Sequence, residues 1–128
     1  MHIELCELIS GERADLCTLG NGTVGAFDRF LDRLDEGQQV PLLCLLNRIA
    51  RNGTVDNPDL FCNVPGCVGL FRVSIAGVEL ACFRDGRKLV ICEYVQGRLT
   101  HQLHAQAQFS HSQYLAYRHQ QGGRENEK

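Results

Sequence analysis

Three side chains of different chemistry, Arg72, Ser74 and Glu79, recur at alternating positions of two adjoining strand-like runs. Successive side chains of a strand point to opposite faces, so Arg72 and Ser74 share one face of residues 70–75, while Phe71, Val73 and Ile75 take the other. If helices cover the Phe71/Val73 face, Glu79 of the next run joins the open face. On the third run Tyr94 alternates in step with Val90 and Cys92, or Glu93 takes its place in the other register. Arg98, His101 and His104 follow within ten residues. Guanidinium groups bind a phosphate through paired hydrogen bonds. Tyrosine, glutamate and histidine can hold or move a proton. Together these residues suit phosphate recognition coupled to acid–base chemistry.

Other patterns carry less. Gly20, Gly22 and Gly25 spell G-x-G-x-x-G, but no second parallel strand follows in sequence, and the position that should hold a ribose-binding acid lies in an apolar helix. The segment reads as a turn, and no cofactor is expected. Cys62 and Cys67 with His101 and His104 make a four-ligand set on paper, but the paired knuckles of structural zinc are lacking, so no metal is expected. No signature pairs a Cys or Ser nucleophile with a base. The acidic pairs Glu4/Glu7 and Asp28/Asp32 fall on exposed faces.

The 128 residues, 44% hydrophobic and 22% charged, are enough for one domain with its own core, and exclude a largely disordered chain. No apolar run approaches a spanning helix. The net charge of −2 hides an asymmetry: residues 1–36 hold eight acids against three bases, whereas residues 72–98 hold five bases against three acids. Contact with a polyanion is therefore expected to be local rather than general. Seven cysteines, an odd number and mostly within apolar runs, indicate a reducing compartment. The N-terminus has no secretory pattern, so a cytoplasmic location is expected, and the N-x-T sequons at Asn21 and Asn52 are chance matches.

Positioning falls to a few elements. Alternation predicts a strand from His2 to Ile9 and a short partner from Ala14 to Leu19. Helical spacing predicts helices over residues 26–34, with Phe27, Phe30, Leu31 and Leu34 inward, and over residues 39–51, with Pro41 in the first turn and Asn52-Gly53 as the stop. Residues 35–38, starting at Asp35, join them as an αα-hairpin. Residues 57–69 read as a loop. Strands at 70–75, 78–83 and 88–95 then follow, with Ala76-Gly77 and the segment 84–87 as turns. A helix over 102–119 presents Leu103, Ala107, Tyr114, Leu115 and Arg118 as one face. The predicted class is α+β: a small antiparallel sheet, an N-terminal αα-hairpin and a C-terminal helix. Residues 1–119 form one domain, and 120–128 a polar, disordered tail.

From Phe27 onward the chain resembles toxins of the RelE/ParE superfamily, in the HigB-like, phage-type branch. The resemblance lies in FLDRLDEGQQVPLLCLLNRIARNG, in NPDLFCNVPGCVGLF and in the hairpin CFRDGRKLVI, and the opening IELCELISGERADL resembles the family's first strand and turn. It covers about 90 of the 128 residues. It implies a small sheet with a helical hairpin and metal-independent cleavage of mRNA on the ribosome, by attack of a ribose 2′-hydroxyl on the adjoining phosphate. It also implies neutralisation by a cognate antitoxin.

In that frame Arg72 and Arg98 would bind phosphate. Tyr94, His101 and His104 would act as acid or base, with Glu79 as a further base. The chain departs from the family where the chemistry belongs. Serine stands at 74, where the family carries arginine after GLF, and Glu79 stands where a second arginine is common. Glu93-Tyr94-Val95-Gln96-Gly97-Arg98 replaces a stretch ending in His-Gly-Phe and two lysines. The alternatives are a catalytically inactive protein-binding module on the toxin fold and a ParE-like inhibitor of DNA gyrase. Expected partners are an antitoxin protein, with the ribosome and mRNA if the chain is a nuclease; no membrane is expected.

Overall fold

The N-terminal hairpin depends on one close backbone approach. In the computed structural model, which describes residues 5–19 and 25–126 (side chains of 120–126 excepted), β1 (Leu5–Ser10) pairs antiparallel with β2 (Asp15–Leu19). Their turn rests on the end of a helix. The Arg13 and Ala14 N–H groups donate to the Ala50 carbonyl at 3.3 and 2.9 Å. A Cβ on Gly11 would lie 2.3 Å from that oxygen, so the turn needs glycine there. Glu4, Gly20, Asn21, Gly22 and the last two residues of the tail lie outside the described residues.

Two helices follow: α1 (Ala26–Asp32), preceded by Gly25 in the left-handed conformation, and α2 (Glu36–Asn52). α2 starts three residues before the predicted Gln39 because Asp35 and Gln38 form a reciprocal capping box. Pro41 therefore sits inside the second turn rather than the first. There it costs one intrahelical hydrogen bond, which the capping box and the buried face offset. That face is Leu42, Leu45, Leu46, Ile49 and Ala50, at helical spacing. The Gln39 amide donates to the Leu31 and Leu34 carbonyls at 2.6 and 3.0 Å, tying the end of α1 to α2. Gly53, left-handed at φ 77°, ends α2.

The remaining strands are β3 (Phe61–Asn63), β4 (Leu70–Ile75), β5 (Val78–Asp85) and β6 (Lys88–Gln96), and the chain continues into α3 (His101–Asn126). β3 lies within the segment expected to be loop; three residues are too few for alternation to register, and pairing with β4 defines them. The sheet order is β1-β2-β6-β5-β4-β3, and β2 runs parallel to β6. The sheet is thus mixed, where a purely antiparallel one was expected. A parallel pair needs a long crossover, and everything between β2 and β6 supplies it. β6, central and flanked on both sides, carries the continuous buried run Leu89, Val90, Ile91 and Cys92.

Helices pack on both sheet faces, where one face was expected to be open. On one side α1 and α2 pack over Leu16, Val73, Leu80, Cys82, Leu89 and Ile91. On the other, α3 lays Leu103, Ala107 and Tyr114 over Leu70, Phe83 and Val90. Leu115, expected on the packed face of α3, points outward and is exposed. Tyr114 donates to Asp85 at 2.7 Å, and Arg118 pairs with the same carboxylate. The His111 ring stacks on Phe83 at 4.4 Å. No described helix is long and apolar enough to cross a membrane.

Candidate active site

α3 covers only part of its face, and the uncovered end is polar. β4 places Arg72 and Ser74 on the α3 side, and register opposes Ser74 to Glu79 of β5. The Glu79 carboxylate, 8% exposed, accepts from the Ser74 hydroxyl at 3.2 Å and from the Leu99 backbone N–H at 2.7 Å. The second contact reaches the turn between β6 and α3. Gly97, at φ 104°, allows that turn, and its N–H donates to the Gly77 carbonyl at 2.6 Å. Thr100 then caps α3, its hydroxyl accepting from the Leu103 N–H at 3.2 Å. One turn into the helix lies His104. Arg72, Ser74, Glu79, Arg98, Leu99 and His104 together line an open groove of about 360 Å³, room for a nucleotide-sized group.

Two groups in this groove are unsatisfied. Among the described residues neither Arg72 Nε nor His104 Nε2 finds a hydrogen-bond partner, although both atoms are shielded from solvent. Buried polar atoms are ordinarily paired, and both orphans belong to the groove. Two guanidinium groups and an imidazole suit an anion with several acceptor oxygens. The buried Glu79 carboxylate partly offsets that positive charge, which favours a singly charged phosphodiester over a free phosphate.

Four sequence-predicted residues meet here: Arg72, Glu79, Arg98 and His104. His101 is exposed, its ring 6.4 Å from that of His104. Tyr94 lies on the opposite face, where its ring packs against Phe27 at 5.1 Å and Phe30 at 4.8 Å. The cause is a β-bulge. Ala81 pairs with Glu93 while Cys82 pairs with Ile91, so Cys92 is an extra residue in β6. From there alternation is inverted, and Tyr94 turns toward α1. Burial among these apolar neighbours, reinforced by the Glu93 charge, raises its phenol pKa. Burial likewise raises the pKa of Glu93, which is outside the groove lining. Residue typing missed the Leu99 N–H as a site donor, because a backbone group has no side-chain signature; the neighbouring Gly97 was the available hint.

A second cavity, about 50 Å³, lies among Cys6, Leu8, Thr18, Phe27 and Asp28, and is too small for more than a solvent molecule or two. Among the described residues no three His, Cys, Asp or Glu side chains are grouped to hold a metal ion. The thiols of Cys82 and Cys92 are buried, and burial pushes Cys92 up to about 12, so neither is a ready nucleophile. No family model, curated protein or solved structure matches the chain.

Proposed function

We propose that the chain is a toxin-like protein of RelE/ParE type, with α1 and α2 as its αα-hairpin, and that the groove binds the backbone of single-stranded RNA and cleaves it without a metal. The observation that carries this reading is the convergence of Arg72, Arg98 and His104, with Arg72 Nε and His104 Nε2 both unsatisfied among the described residues. The resemblance from Phe27 onward supports the same chemistry. His104 takes the proton of a ribose 2′-hydroxyl as that oxygen bonds to the adjoining phosphorus. The bond from phosphorus to the 5′ oxygen breaks, and the departing oxygen takes a proton from His101 or from water. The products are a 2′,3′-cyclic phosphate and a 5′-hydroxyl. The two arginines neutralise charge as it grows on the phosphoryl oxygens. An antitoxin protein is the expected partner in this reading.

Induced expression in a bacterial host, with growth and total mRNA integrity followed together, tests it. Growth arrest with mRNA fragments is expected, and Arg72→Ala, Arg98→Ala or His104→Ala should each reduce cleavage by about a hundredfold or more. Normal growth with intact mRNA overturns nuclease action in that host. The second reading, an inactive toxin fold that binds a protein, draws on the exposed Val40 and Leu43 of α2 and Phe109 and Leu115 of α3. It predicts arrest that persists in the arginine variants. A gyrase-directed variant of that reading predicts an SOS response with intact mRNA.

A further inference from the structure

We propose that Glu79 is a positioning residue rather than a base: its carboxylate holds the turn at residues 97–99 so that Arg98 lines the same groove as Arg72. The inference rests on the groove reading above and deepens it. Each carboxylate oxygen already accepts a hydrogen bond, Oε1 from the Leu99 N–H at 2.7 Å and Oε2 from the Ser74 hydroxyl at 3.2 Å. Two of the carboxylate's roughly four lone-pair sites are thus committed to structural contacts, one of them with the turn itself. The carboxylate is well placed to fix a turn.

Among the described residues, two backbone N–H groups tie the segment that carries Arg98 to the sheet. One is the Gly97 N–H to the Gly77 carbonyl, and the other is the Leu99 N–H to Glu79, one on each side of Arg98. Between them Arg98 has little freedom of backbone direction. Removing the second tie leaves the Leu99 side of the turn held by its buried side chain without a backbone hydrogen bond to the sheet. The groove holds an imidazole besides Glu79, that of His104, whose Nε2 has no partner among the described residues.

The experiment compares Glu79→Gln, Glu79→Ala and Glu79→Asp in the full chain. Glutamine preserves an acceptor for the Leu99 N–H and removes the basic carboxylate. Alanine removes both. Aspartate keeps a carboxylate but withdraws it by one methylene, which serves if the alanine variant fails to fold. Two readouts are taken: affinity for, and cleavage of, a labelled single-stranded oligoribonucleotide, and the hydrogen-exchange protection of the Leu99 amide, which needs no ligand.

Positioning predicts that Gln keeps cleavage and does not fall below the parent in affinity, whereas Ala and Asp each lose about tenfold in affinity. Leu99 protection should be kept in Gln and lost in Ala and Asp. Loss of cleavage in Gln as deep as in Ala overturns the proposal, because the carboxylate itself is then required. Unchanged Leu99 protection in Ala or Asp overturns it as well. Failure of the parent protein to bind the oligoribonucleotide overturns the groove reading instead, and the Leu99 amide still decides whether Glu79 holds the turn.

Discussion

Glu93 and Glu79 stand fourteen residues apart and have opposite fates. Glu79 is buried with two donors, so its burial is compensated. Glu93 is half-buried at the bulge, and desolvation raises its pKa above the ordinary carboxylate value. The folded state then holds the proton more tightly than the unfolded chain does. Below the unfolded pKa both states are protonated and no penalty exists; as pH rises through the folded pKa the charged form must be accommodated, and stability falls. Glu93→Gln should therefore raise the urea midpoint at pH 7, and the gain should vanish at pH values below the carboxylate range. Urea titrations at the two pH values check this, and an equal gain at both would show that packing rather than ionisation is responsible.

The element that does most for the candidate site is α3, because it packs on that sheet face and brings His104 into the groove with Arg72. Further along, its attachment rests on Tyr114 and Arg118, both bound to Asp85 at the end of β5. Tyr114→Phe removes a 2.7 Å hydrogen bond to a charged acceptor and leaves the ring in place. The expected cost is about 1.5 kcal/mol, read as a lower unfolding midpoint at unchanged slope. Binding of the oligoribonucleotide proposed for the groove should be untouched, because this contact lies ten residues beyond His104 along α3. A loss of binding with no loss of stability would mean that the anchor acts on the groove directly.

At the scale of the whole molecule, two hydrophobic cores share one sheet, and β6 contributes to both. Leu89 and Ile91 face α1 and α2, while Val90 faces α3. Neighbours on one strand couple the two layers, so the molecule should unfold in a single transition. Leu89→Ala and Val90→Ala should each cost about 2–4 kcal/mol without splitting that transition. Leu115→Ala, on the exposed side of α3, should stay within about 0.5 kcal/mol of the parent. Two separated transitions in either core variant would show that α3 and its face melt independently.

The amino-acid sequence by itself determined what depends on near neighbours along the chain. Helical spacing marked α1, α2 and α3, alternation marked most of the strands, and Ala76-Gly77 marked a turn. Strand parity also placed Arg72, Ser74 and Glu79 on a common face, because the short Ala76-Gly77 turn leaves little choice of register. The tertiary structure decided whatever depended on a distant partner. Pairing of β2 with β6 made the sheet mixed, and pairing with β4 turned residues 61–63 into a strand. α3 covered the face that sequence left open, because only its docking could bury Leu70, Phe83 and Val90. One extra residue in β6 inverted the alternation beyond Cys92 and carried Tyr94 away from the groove. A bulge of that kind leaves no periodic trace, since period-two patterning records which side chains alternate but not where the partner strand skips one.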